Sequence, residues 1–196
     1  NDGFHPLLEK SGAILAQAGR HPLRVEVFNG TSFFKLIVEY EAEGLKRQRL
    51  PASALFRPVP GESAGSSRVE PGLNYACYLG NWNSLPDFSK LVPAKTGSVT
   101  NFDLSVRERD VNVALVFTGW IDLPKTALYK FYCASDDGSR MWVGESALEI
   151  SVLGQRALPP LRDVDVALLK PGEIAFGRVE GMVTRRRTSA RGHLEL

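Results

Sequence analysis

Apolar and polar residues alternate one for one along much of this chain. LRVEVF at 23–28, FKLIVEY at 34–40, LNYACYL at 73–79, NVALVFTGWI at 112–121, LYKFYCA at 128–134 and SRMWVG at 139–144 all keep the two-residue period of a strand, which sends successive side chains to opposite faces. FNGTS, LPKT and DDGS separate them with turn-forming residues. ESALEISVLGQ, from Glu145, opens with helical spacing, but β-branched Ile150 and Val152 lead into Gly154, so a strand is expected there too. No segment sustains a long 3.6-residue stripe. The expected fold class is all-β, a sandwich or a barrel.

Pro, Gly and Ser dominate PVPGESAGSSRVEPG, which begins at Pro58 and holds little to bury, so 58–70 reads as a flexible linker. A second joint falls at GQRALPPLR, near Gly154 to Arg162. The pieces are then 1–57, 71–154 and 155–196, and the first is too short for a comfortable core of its own. The whole chain, 196 residues with 43% hydrophobic content, is long enough for one substantial core. Its formal net charge of +2 exerts no global pull on nucleic acid, but the three pieces carry +2, −2 and +3 respectively, and the acidic piece contains Asp136 beside Asp137.

No apolar run approaches the roughly 18 residues a spanning helix needs, and NDGFHPLLEK lacks the basic-then-apolar order of a signal peptide, so no membrane insertion is expected. The missing initiator Met and a strand-like ending on GHLEL predict a piece of a longer protein. His5, His21 and His193 are scattered without metal-ligand spacing, and two cysteines make no zinc site. HExxH, P-loop and dinucleotide-turn motifs are absent, and the one GxSxG string, GESAG at 61–65, lies in the linker rather than at a nucleophile elbow, so no enzyme active site is expected. The run Arg185 to Arg191, RRRTSAR, has no interleaved aromatics to stack bases and reads as a solvated tip rather than a nucleic-acid surface.

Three constellations remain. In KFYCASDDGSRMWVG, Asp136 and Asp137 either shape a tight hairpin turn or converge on a hard cation such as calcium. Trp82 lies in the loop GNWNSLP and Trp120 in the long strand; Trp142 alternates with Met141 and Val143, which turns it outward beside Arg140. Stacked on sugar or on a cation, such an indole is a recognition element; packed, it is core or rim. Cys77 and Cys133 both share parity with core-facing neighbours, so two buried thiols or one disulfide remain open, and their α-carbons are expected on adjacent strands within about 7 Å.

GLNYACYLGNW at 72–82, SLPDFSKLVPAKTGSVTNFDLS at 84–105, FTGWIDLP at 117–124 and YKFYCASDDGSRMWVG resemble the front half of a PA14 domain, a β-sandwich module of secreted glycosidases, adhesins and toxins. NDGFHPLLEKSGAILAQAGRHPLRVEVFN with YEAEGLKRQRLPASALFR resembles the back half. The order is inverted, as if 1–57 ended one copy and 71–154 began the next. The two halves are complementary in circularly permuted order, and they are expected to pair as one antiparallel sandwich. GRVEGMVTRRRTSARGHLEL looks like the opening of a small OB-like barrel within 155–196.

The resemblance implies a non-catalytic glycan-binding module of a larger extracellular or periplasmic protein. Its partners would be a glycan or glycoconjugate and neighbouring domains of the parent chain. In the fungal adhesin branch the matching Asp pair, joined by a cis peptide, holds a calcium ion that grips sugar hydroxyls. By that likeness Asp136 and Asp137 are the metal ligands, Asn29 is the nearest candidate for a third, and Trp82, Trp142 and Arg140 would line the ligand site. A scaffolding module that binds no sugar is the alternative.

Overall fold

The computed structural model describes residues 2–31, 33–59 and 68–144, together with the two-residue strands 176–177 and 183–184. Eleven strands form two antiparallel sheets: β1 (Leu8–Ala16), β2 (Gly19–Asn29), β3 (Leu36–Ala42), β4 (Leu45–Arg49), β5 (Leu55–Pro58), β6 (Val69–Pro71), β7 (Leu73–Leu79), β8 (Lys95–Val99), β9 (Val113–Leu123), β10 (Ala127–Ser135) and β11 (Ser139–Val143). The fold is all-β, as the alternation implies. Among the described residues no helix is long and apolar enough to cross a membrane. Two further strands, β12 (Phe176–Gly177) and β13 (Val183–Thr184), pair only with each other. The rest of the expected OB-like segment, the basic run Arg185 to Arg191, the expected strand after Glu145 and most of the 58–70 linker lie outside the described residues.

Strands from the two flanks of the linker alternate in space. The four-stranded sheet runs β1-β10-β3-β4, so β10 is hydrogen-bonded on both sides by strands from before residue 57. In the seven-stranded sheet β2 lies between β11 and β9. The far edge of β9 is shared end to end: β7 pairs with Val113 to Thr118, and β5 with Trp120 and Ile121. Beyond them lie β8 and β6. Gly72 makes this sharing geometrically possible. Its φ of +104° lets the chain step from the outer position of β6 to the inner position of β7, and a Cβ there would sit 2.3 Å from the Val99 carbonyl oxygen.

One core fills the space between the sheets. Val25, Val27, Leu115 and Phe117 face Val38, Tyr40, Tyr129 and Phe131 across it, and each such large side chain contributes about 1.5–3 kcal/mol on burial. Sequence periodicity finds most strands that border this core but misses β1 and β5, which add only Ile14, Ala16 and Leu55 to it, and misses exposed edge strands. β4, LKRQR, has four exposed positions in five, and β8, KTGSV, is exposed at its first four. Edge strands with little to bury carry no alternation.

Two expectations are corrected. DDGS is not a hairpin turn: β10 and β11 belong to different sheets, so residues 136–138 carry the chain across the end of the sandwich. The peptide between Asp136 and Asp137 is trans. Cys77 and Cys133 do not sit on adjacent strands either. Cys77 pairs with Leu115 and Lys95 in one sheet and Cys133 with Lys10 and Val38 in the other, and both are free buried thiols. Both point into the core, as their parity requires, but from opposite walls. Burial raises both thiols above their ordinary range, which disfavours the reactive thiolate. Protein kept without reductant should react slowly with Ellman's reagent when native and release two thiols per chain when unfolded; fewer than two on unfolding would reinstate the disulfide.

Candidate functional site

Asp137 occupies the corner between the sheets with φ +61°, a left-handed conformation that Asp tolerates better than most residues. Its side chain is turned inward and the residue is 3% exposed. Oδ2 accepts a hydrogen bond from the Gly30 N–H at 2.8 Å, and Oδ1 one from the His5 N–H at 3.4 Å. The backbone of the corner is held as well. Asp137 N–H donates to the His5 carbonyl, Asp136 N–H to the Lys35 carbonyl, and Phe28 N–H to the Gly138 carbonyl. Ser135 Oγ donates to the Asp137 carbonyl at 2.7 Å. Four separate stretches, the N-terminal segment, the end of β2, the start of β3 and the corner itself, meet on this group.

The neighbouring carboxylate behaves differently. Asp136 is half-buried, and its side chain has no hydrogen-bond or ion-pair partner among the described residues. Asn29, at the end of β2, is fully buried and donates from Nδ2 to the Asp110 carbonyl at 2.6 Å, pinning the loop before β9. Among the described residues no group of three or more His, Cys, Asp or Glu is arranged to hold a metal ion.

The other expected site residues lie on the outer face of the seven-stranded sheet. Register places Arg140, Glu26, Val116, Ala76 and Thr96 in one row across five strands, and Trp142, Arg24, Thr118, Asn74 and Ser98 in the next. A further row brings Pro22, Trp120 and Phe56 together. Part of this face is roofed. Trp82, Leu85, Phe88 and Leu91, from the segment between β7 and β8, pack onto Phe28, Ala114, Val116 and Tyr78. Asp87 caps the short turn that inserts Phe88, accepting from the Ser89 N–H at 3.2 Å. Trp82 is thus a packing residue of the roof, whereas Trp142 stands half-exposed beyond it.

Glu26 sits where roof meets open floor and is 5% exposed. Arg24 donates to its Oε1 from Nε at 2.8 Å, and Nη2 lies 2.8 Å from the same oxygen as an ion pair. Desolvation raises the Glu26 carboxyl above the ordinary carboxylate range, opposed by the hydrogen bond from Arg24 and the charges of Arg24 and Arg140, while Asp87 adds to the rise. Arg24 and Arg140 bring their guanidinium carbons to 5.9 and 5.5 Å from the Trp142 ring centre, within cation–π range. Trp142 and Arg140 were legible from SRMWV alone. Arg24 and Glu26 had a signal in RVEV, where they share the face opposite Val25 and Val27; the burial of Glu26 had none, because it depends on neighbours from other strands.

No family model, curated protein or solved structure matches the chain.

The two aspartates should separate cleanly under mutation. Asp137→Ala leaves two backbone N–H groups without their acceptor and should cost about 2–4 kcal/mol in urea unfolding, whereas Asp136→Ala should stay within about 0.5 kcal/mol of wild type. Equal losses would show that the corner does not depend on Asp137. Glu26 has its own signature. With its folded pKa raised above the ordinary 4.5, the unfolded chain binds fewer protons between the two values, so stability falls as pH rises through that window. Glu26→Gln should flatten that slope; an unchanged slope would assign it to another group.

Proposed function

We propose that this chain is a non-catalytic glycan-binding module, PA14-like in its halves, working within a larger extracytoplasmic protein. The observation that carries the proposal is the open part of the outer face, where half-exposed Trp142 is flanked by Arg24 and Arg140 and continues into Thr118 and Asn74. Neither Thr118 nor Asn74 has a side-chain hydrogen bond within the described residues, so both remain available to sugar hydroxyls. The row from Trp142 to Asn74 crosses four strands, about 14 Å at ordinary strand spacing, the scale of an oligosaccharide rather than of one ring. The quoted motifs support the family reading, and the interleaving of 1–57 with 71–144 suits a sandwich built from halves in permuted order.

Calcium at the Asp pair, implied by the likeness to adhesins, would have to combine Asp136 with an Asp137 carboxylate already accepting two backbone N–H groups. Recognition on the outer face needs no metal. The scaffolding alternative has an observation of its own: the most distinctive motif of the chain, SDDGS, is used within the fold. In that reading the partners are neighbouring domains.

Native gels cast with a panel of soluble neutral and acidic polysaccharides should decide between them. Wild type should be retarded by at least one polymer, Trp142→Ala about tenfold less strongly, and Asp136→Asn and added EDTA should change nothing. Retardation abolished by EDTA and by Asp136→Asn would move the site to the Asp pair, and no retardation by any polymer would leave the scaffold.

A further inference from the structure

On the glycan-binding reading, we infer that the open face selects acidic sugars, with Arg140 receiving the carboxylate of a hexuronic acid residue whose ring rests beside Trp142. The two arginines around this indole have different occupations. Arg24 is committed to Glu26 by a hydrogen bond from Nε and an ion pair from Nη2. Arg140 faces Glu26 across the β11–β2 ladder, yet has no hydrogen-bond or ion-pair partner among the described residues. It is half-buried and lies 5.5 Å from the Trp142 ring centre.

The outer face of the other sheet shows what a self-contained arginine looks like. Arg47 lies 3.8 Å over the Tyr132 ring, and its guanidinium is paired with both Glu9 and Glu39. There the aromatic–arginine stack is closed by two carboxylates of the chain itself. Around Trp142 two arginines lie within cation–π range beside one carboxylate, so one guanidinium is left over and the cluster keeps one positive charge. Arg107 and Arg57, also half-buried, have acidic partners in Asp110 and Glu70.

A guanidinium stacked on an indole is held as a flat fork with little rotamer freedom left, and a carboxylate, planar with two oxygens, matches it in two parallel hydrogen bonds. Glu26 does not compete for the ligand, because it is buried and paired with Arg24. The remaining polar groups of the row, Thr118 and Asn74, are neutral and suit hydroxyls. A carboxylated sugar therefore fits the charge left over and the apolar and hydroxyl surfaces around it.

The test is native affinity electrophoresis of the full chain against polygalacturonate and alginate, each beside its carboxyl-reduced counterpart, which keeps the ring and loses the charge. Wild type should bind at least one polyuronate about tenfold more tightly than its reduced form. Arg140→Met should abolish that preference while leaving binding to the reduced polymer in place, and Arg140→Lys, which keeps the charge and loses the fork, should recover only part of it. Arg49→Met, on the exposed edge strand β4, should change nothing. Equal binding of a polyuronate and its reduced form overturns the acidic-sugar assignment and leaves the glycan-binding reading standing. So does binding confined to neutral polymers, or equal losses from Arg49→Met and Arg140→Met, which would reduce the effect to net charge. No binding to any polysaccharide overturns both.

Discussion

Everything in this sandwich hangs on the ladder between β2 and β9. It joins one strand from each side of the linker over eleven consecutive residue pairs, from Gly19 opposite Leu123 to Asn29 opposite Val113. Its register decides what faces where. Val25 and Val27 enter the core beside Phe117 and Leu115, so Arg24 and Glu26 must lie outward with Thr118 and Val116. A slip of one residue would drive Arg24 and Glu26 into the core and bring Val25 and Val27 to the surface, a cost no local adjustment could offset. The same ladder binds the two flanks of the linker into one body, since β11 and β7 attach to its two edges.

Fixed in this way, the molecule divides its polar chemistry between an end and a face. At the end, Asp137 is used up in holding the chain where it crosses between sheets. Such a crossing leaves backbone N–H groups without ladder partners, and a buried carboxylate can accept more than one of them. On the face, the segment 82–91 packs over Phe28, Ala114, Val116 and Tyr78 of the seven-stranded sheet, and an aromatic and arginine surface lies beyond it. The outer face of the four-stranded sheet, with Arg47 paired to two glutamates, has no comparable surplus. In the proposed reading recognition belongs to the face, while the corner holds the fold together.

The sequence reveals this division only in part, for reasons that differ from residue to residue. SRMWV shows the outward Trp142 beside Arg140 because parity along one strand is local. DDGS reads as a hairpin because Asp-Gly is a hairpin dipeptide; that its two strands enter different sheets depends on β2 and β10 finding partners more than a hundred residues away. Parity likewise aims Cys77 and Cys133 at the core without saying from which wall. β4 and β8 pass unnoticed because an edge strand buries little, and β1 because only its end, Ile14 and Ala16, enters the core. The roof of residues 82–91 is invisible for the same reason as the corner: it packs on Phe28, Ala114 and Val116, distant in sequence.

The central claim, that the outer face of the seven-stranded sheet and not the Asp136–Asp137 corner meets the ligand, is tested most directly by an amide NMR titration with the oligosaccharide form of whichever polymer the chain retains. The account predicts that shifts concentrate at residues 24–26, 118–120 and 140–142, with the indole N–H of Trp142 among the largest, while 30–35 and 135–138 stay still. Shifts gathered at Gly30, Asp136 and Asp137, with Trp142 unmoved, would contradict it.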